Sequence, residues 1–176
     1  MILAFNLNLP VNGLANDSPT FISLCFKMEK AHWFYLDEYV WNDATLQRCS
    51  QMSFFHQTFS RCSNLQWHYN NDHFDDIVHN WKYMKNKLPS YGAIILNENK
   101  DKVLMVQCYH SKTWGFPLGK AFCADSGQEE DAVKCAVREV DEEISLNISN
   151  LISNEDYIEK FIHGKKVGLF IIKGRR

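Results

Sequence analysis

Arg138-Glu139-Val140-Asp141-Glu142-Glu143 is the stretch on which the reading of this 176-residue chain turns. On a helix, Glu139, Glu142 and Glu143 stand at i, i+3 and i+4, so three carboxylates share one face. Like charges at that spacing destabilise a bare helix, and two readings follow. Either the face is a solvated acidic surface, or a hard divalent cation with oxygen ligands neutralises it. A metal held in this way would bridge to substrate phosphates and activate water.

Upstream of the helix lies Trp114-Gly115-Phe116-Pro117-Leu118-Gly119-Lys120, and Glu130 stands eight residues before Arg138. Together these segments resemble the Nudix hydrolases, whose box reads G-x5-E-x7-R-E-U-x-E-E-x-G-U with U a bulky aliphatic. Glu130, Arg138, Glu139, Val140, Glu142, Glu143 and Leu146 fall on that pattern, with Gly119 as its first glycine. There are two departures. Ten residues rather than five separate Gly119 from Glu130, an insertion within Ala121 to Gln128. Ser145 stands where the box has its second glycine, a position whose left-handed dihedrals glycine accepts more cheaply. The resemblance implies Mn2+ or Mg2+ held by Glu139, Glu142 and Glu143. It also implies a catalytic set of Glu142, Glu143 and Lys120, and a box shaped by Gly119, Glu130 and Arg138, with Arg138 paired to Glu130.

Farther out, the chain has two grammars that change near Pro89. Residues 1–88 carry 16 of the 24 aromatics but only 7 of the 19 basic residues. Residues 89–176 carry 12 basic and 13 acidic residues and most of the β-branched runs, which implies two units with those bounds. The net charge of −2 supplies no global basic field, so any nucleic acid must be held by a local site. No apolar run suits a membrane span, and Met1 to Leu9 lacks the basic and hydrophobic regions of a signal peptide. Six scattered cysteines without a CxxC pair then read as reduced thiols of an intracellular protein. Cys62, His68, His73 and His79 match no zinc spacing.

In the first half, Phe21, Leu24, Cys25, Met28, Ala31, Tyr35 and Tyr39 recur at helical steps, with Asp17 or Ser18 before Pro19 as a helix start. Thr45–Arg61 and Phe74–Lys85 are predicted as further helices, and Lys87-Leu88-Pro89-Ser90 as a linker. In the second half, Tyr91–Leu96 and Val103–Gln107 read as a hairpin, Glu130–Ile144 as a helix and Val167–Ile172 as a late strand. The predicted fold class is α+β: an all-helical N-terminal domain followed by a Nudix α/β/α sandwich, incomplete at its C-terminal end.

The resemblance extends beyond the box. Ala31-His32-Trp33-Phe34-Tyr35-Leu36-Asp37, the Pro89 linker, Tyr91–Leu96 and Trp114–Pro117 occur in the order seen in the catalytic subunit family of the mRNA-decapping enzyme, over roughly Leu7 to Gly174. The resemblance implies hydrolysis of the 5′ cap of mRNA to 7-methyl-GDP and 5′-monophosphate RNA, in mRNA decay in the cytoplasm and its P-bodies. A methylated guanine is a cationic π system that stacks on an exposed Trp, with a carboxylate reading its base edge. Trp33 and Asp37, one turn apart, would supply both, with Lys120 on a phosphate; without the family match, Trp33 reads first as a core aromatic. The two domains would close on the cap across Pro89. A decapping activator subunit would dock on the helical half through Phe5, Leu7, Leu9 and Trp41, with no membrane and no DNA as partners. The family's general-base Glu and basic RNA-binding helix have no counterpart before Lys173-Gly174-Arg175-Arg176, and the spacing of Glu155, Asp156 and Glu159 identifies no replacement. Two other readings therefore stand beside the first. One is a non-catalytic module that binds cap or activator; the other is a Nudix hydrolase of a nucleoside-diphosphate derivative.

Overall fold

The computed structural model describes residues 19–66, 69, 71–108, 111–123 and 128–174. Phe5, Leu7, Leu9, Asp17, Ser18 and most of the box insertion lie outside them. The fold is α+β, and it divides into two compact units, one ending at Tyr83 and the other beginning at Met84.

The first unit is helical: α1 (Pro19–Phe34), a π-helical turn over Tyr35–Val40, α2 (Gln51–Arg61), α3 (Ser63–Gln66) and α4 (Asn71–Lys87), whose last turn belongs to the second unit. Its core is aromatic. Phe21, Leu24, Phe55, Phe59, Ile77 and Trp81 are fully buried or nearly so. Phe55 lies 5.3 Å from Trp81 and Phe59 5.6 Å from Phe74, within the range of favourable ring contacts. Each such side chain contributes roughly 1.5–3 kcal/mol by leaving water.

The helix predicted from Thr45 starts later, at Gln51, capped by the Ser50 hydroxyl accepting the Ser53 N–H. The preceding backbone is committed elsewhere. His32 Nε2 donates to the Cys49 carbonyl at 2.9 Å, and the Tyr35 hydroxyl donates to the Gln47 carbonyl at 2.9 Å. Phe54 packs against both rings. These long-range bonds hold the segment in an irregular path that helical periodicity alone does not reveal.

The second unit is built on a four-stranded mixed sheet. The strands are β1 (Ser90–Leu96), β2 (Val106–Gln107), β3 (Trp114–Gly115), β4 (Leu118–Lys120), β5 (Phe122–Cys123), β6 (Gln128–Glu129), β7 (Tyr157–Ile162) and β8 (Lys165–Lys173). The main sheet runs β4-β1-β8-β7, with β1 and β8 parallel and the other pairs antiparallel. Helix α5 (Ala132–Ile144) packs on one face, where Tyr91, Ala93, Phe170 and Ile172 meet Cys135, Ala136 and Val140. Alternation along β8 is clean: Gly168, Phe170 and Ile172 are buried, and the residues between them are half-buried.

The predicted hairpin between Tyr91–Leu96 and Val103–Gln107 shrinks to a single bridge, Leu96 with Val103. The reason is edge occupancy. β8 pairs along all of β1 on one side, and β4 takes Ser90–Gly92 on the other. Only the far end of that edge is open to Val103, and Val106–Gln107 pairs with Trp114–Gly115 instead. The apolar and charged residues of β7 do not alternate, so hydrophobic periodicity does not mark it as a strand.

Helix α5 ends on Ser145, whose φ of 55° and ψ of 38° are left-handed, as the glycine of the box pattern leads one to expect. A side chain in that region costs roughly 1–2 kcal/mol, of which a glycine returns part to the flexibility of its unfolded chain. Ser145→Gly should therefore stabilise the protein by up to about 1 kcal/mol. The urea midpoint should rise with an unchanged slope, and a fall would refute the strain argument.

Candidate active site

The site begins at the start of α5. Asp131 caps the helix, its carboxylate accepting the N–H groups of Val133 at 3.0 Å and Lys134 at 3.3 Å, a cap typically worth ~1 kcal/mol. Capping at Asp131 fixes which residues face the sheet. Cys135, Ala136 and Val140 go inward, and Arg138, Glu139, Glu142 and Glu143 line the flank.

Arg138 is the hub. Its Nε donates to both oxygens of Glu130 at 3.2 and 3.1 Å, and its Nη2 to Glu130 Oε2 at 2.7 Å and to the Lys120 carbonyl at 3.0 Å. Its Nη1 donates to Glu139 Oε1 at 2.8 Å and to Glu142 Oε2 at 3.0 Å. All five N–H donors of the guanidinium are committed. Burial opposes the charge of Arg138, but the hydrogen bonds of Glu130 and Glu139 override it and hold the pKa well above the ordinary value.

Glu139 sits in a seat made by glycine. A Cβ added to Gly119 would land on the Glu139 carboxylate, which would then have to leave its place beside Arg138 Nη1. Burial raises the Glu139 carboxyl above its usual range, against the opposing charge and hydrogen bonds of Arg138. Burial likewise raises Glu143, against a hydrogen bond from the Leu118 N–H, and neighbouring Glu142 adds to the rise. Beneath the box, burial pushes the Cys135 thiol up to about 12, so this cysteine is an inert core group.

The donor set fits a hard divalent cation in kind: carboxylate oxygens on one helix flank, two of them already drawn toward one positive group. That group is Arg138 Nη1. Among the described residues, no three His, Cys, Asp or Glu side chains converge on a common point for a metal. Bringing Glu139 and Glu142 onto an ion means withdrawing them from Nη1, and Glu143 must turn from Leu118.

The other sequence-derived residues divide by unit. Trp33 is 51% exposed on α1 rather than in the bundle core, and Asp37 is exposed within the π-helical turn that follows. Trp41 is 83% exposed. Lys120 is separated from the carboxylates. It stands opposite Ser90, whose neighbour Tyr91 points to α5, so the Lys120 side chain leaves on the other face of the sheet. There its ammonium donates to the Leu88 carbonyl at 3.4 Å. Burial, then the like charges of Lys165 and Lys85, lower its pKa. The spacing of the box gives the helix face; the direction of Lys120 needs the strand register.

The chain matches two families in tandem, the "Dcp2, box A domain" over residues 1–84 and the "NUDIX domain" over residues 86–170. It is 36% identical to an Arabidopsis thaliana protein named mRNA-decapping enzyme subunit 2, over 97% of this chain and 43% of that one. It is 34% identical to the mRNA decapping complex subunit 2 of Schizosaccharomyces pombe, over 97% of this chain and 22% of that one. It is 31% identical to the m7GpppN-mRNA hydrolase of Saccharomyces cerevisiae, over 99% of this chain and 17% of that one. The chain thus spans less than half the length of each of these relatives.

Two outcomes test the site's energetics. A carboxyl raised by folding is most costly where it must ionise, so the penalty at Glu143 is full above its folded pKa and vanishes below the ordinary glutamate value of about 4.3. Glu143→Gln should raise the melting temperature of the metal-free protein at pH 7 and lose that gain at pH 3.5; an equal gain at both would refute it. Gly119→Ala should destabilise by about 1–3 kcal/mol, and by less in a Glu139→Ala background, since the clash is with that carboxylate. Additive losses in denaturant titrations would count against the seat.

Proposed function

The chain belongs to the family that joins a Dcp2 box A domain to a Nudix domain, and on that premise we propose that it hydrolyses the 5′ cap of mRNA, releasing 7-methyl-GDP and 5′-monophosphate RNA. The observation that carries this reading is Trp33. A large aromatic half in water, with the Asp37 carboxylate four residues on, suits a cationic methylated guanine better than it suits a helical core. Nudix hydrolases generally need divalent metal ions. Mn2+ or Mg2+ bound to Glu139, Glu142 and Glu143 would polarise the phosphate and lower the pKa of a bound water.

Each residue of the chain then has a task. Gly119 and Arg138 hold Glu139 in its seat, and Glu130 anchors Arg138 from the other side. Trp33 and Asp37 take the base. Lys120, leaving on the far face of the sheet, contacts phosphate rather than sharing in the carboxylate cluster. The helical unit receives a decapping activator, with exposed Trp41 as an apolar contact. The setting is mRNA decay in the cytoplasm and its P-bodies, with no membrane or DNA partner; no described helix is long and apolar enough to cross a membrane.

A second reading, a cap-binding module without turnover, is favoured by one observation: Arg138 Nη1 already bridges Glu139 and Glu142. Product analysis with capped RNA and manganese separates the two. Release of 7-methyl-GDP that falls by ~10²-fold or more in Glu142→Gln supports hydrolysis, and unchanged release in that variant overturns the carboxylate assignment. Trp33→Ala should raise KM about tenfold, the worth of a ~1–2 kcal/mol cation–π contact. Saturable, Trp33-dependent cap binding with no turnover would establish the second reading. Manganese should raise the melting temperature of the wild type but not of a Glu139→Gln, Glu143→Gln double variant, and an equal shift would remove the metal site.

A further inference from the structure

Trp33 and Asp37 grip a base only if they are themselves held in place, and burial holds neither. Trp33 is half in water near the end of α1. None of Tyr35–Val40, the π-helical turn that carries Asp37, is buried. The turn closes through the Trp41 N–H, which donates to the Leu36 carbonyl at 3.2 Å, five residues back. Turns of this kind seldom replace α-helix, so contacts outside the turn must impose this one.

The two side chains on either side of Trp33 supply those contacts. His32 Nε2 donates to the Cys49 carbonyl and the Tyr35 hydroxyl to the Gln47 carbonyl, each at 2.9 Å. The Phe54 ring packs against both, 5.3 Å from the His32 ring and 5.9 Å from the Tyr35 ring. Cys49 immediately precedes Ser50, the cap of α2, and Phe55 and Phe59 anchor α2 in the core. The two bonds therefore fasten the end of α1 to a rigid helix start. Within the turn, Phe34 meets Tyr39 edge to face at 5.9 Å, and the Asn42 side chain donates to the Glu38 carbonyl at 2.7 Å. His32 is buried, and with its proton on Nε2 its Nδ1 has no hydrogen-bond partner among the described residues. A bare buried nitrogen costs stability, so the polar gain of this ring comes through the Cys49 bond alone.

We infer that His32 and Tyr35 are positioning residues, a clamp on the Cys49 and Gln47 carbonyls that fixes the π-helical turn. Through it the clamp sets the Trp33 ring and the Asp37 carboxylate at the separation that a methylated guanine needs. The inference rests on the reading of that pair as the grip on the cap. A stacking ring and a hydrogen-bonding carboxylate reward one mutual geometry, and a turn relaxed to α-helix would rotate one against the other. Neither bond involves a carboxylate of α5, so the clamp acts on binding and leaves the chemical step alone.

The test uses the full chain, with 7-methyl-GDP binding followed by ligand NMR and amide exchange read at Trp41. Tyr35→Phe removes one hydroxyl from a half-exposed ring and keeps its packing on Phe54. It should weaken 7-methyl-GDP roughly fivefold and speed exchange of the Trp41 amide by a similar factor, the worth of one hydrogen bond, with Ile77 in α4 unchanged. His32→Leu should do the same. His32→Gln, whose amide nitrogen takes the place of Nε2, should restore most of the loss. With capped RNA the change falls on KM and leaves kcat as it was. In a Trp33→Ala background neither clamp variant should weaken binding further, and an equal loss there overturns action through Trp33. Unchanged exchange at Trp41 overturns the clamp. Faster exchange with wild-type affinity for 7-methyl-GDP overturns its part in holding the base. Faster exchange in the variants of a wild type that does not bind 7-methyl-GDP keeps the clamp and removes the cap reading.

Discussion

The guanidinium of Arg138 is the constraint on which the second unit is assembled. A planar group with five donors has one orientation in which all five are satisfied, and here the acceptors come from three parts of the chain. Glu130 lies beyond the insertion, Lys120 lends a strand carbonyl, and Glu139 and Glu142 come from the helix itself. Joining them ties the end of β4, the return from the insertion and the flank of α5 into one network. Because the group is partly buried, an unpaired partner would carry a desolvation cost well above that of a surface ion pair. The length of the insertion is therefore of little consequence to the box, so long as Glu130 comes back to the same place.

Glycine supplies the complementary constraint. Gly119, Tyr91 and Gly168 are opposite one another on adjacent strands, so a large ring lies between two positions without side chains. At Gly119 the space is taken by the Glu139 carboxylate from above; at Gly168 it is taken by the Tyr91 and Tyr157 rings. Tyr157 in turn donates to Glu159 at 2.6 Å, which Lys166 also contacts at 3.0 Å. Helix and sheet can approach at one end of this row because the bulk is displaced to the other.

The shared carboxylate face of α5 was legible in the residues, since charge spacing on a helix is a local property. Arg138 to Glu143 gives the shared face without reference to anything distant, and the eight-residue step to Glu130 is short enough for a pattern to hold. Ser145 announced its dihedral by standing where glycine is usual. What was not legible depends on long-range pairing. The late start of α2 follows from His32 and Tyr35 spending themselves on carbonyls of the preceding loop, and nothing near Thr45 signals it. The lost hairpin follows from β8, more than sixty residues on, covering one edge of β1 while β4 takes half of the other. β7 was missed because Ile158, Phe161 and Ile162 do not alternate, as befits an edge strand whose residues after Tyr157 are all exposed.

Lys120 shows how far a single register step reaches. In the sequence it follows Gly119 directly, and proximity suggests that glycine seat and lysine serve one site. Pleating sends consecutive side chains to opposite faces, so the two neighbours face different surroundings: Gly119 faces the carboxylates of α5, and Lys120 faces Lys165 and the end of α4. The net charge of −2 is then a sum over segregated surfaces rather than a description of either. Acidic groups gather on the helix flank, suited to cations, and lysines gather across the sheet, suited to anions.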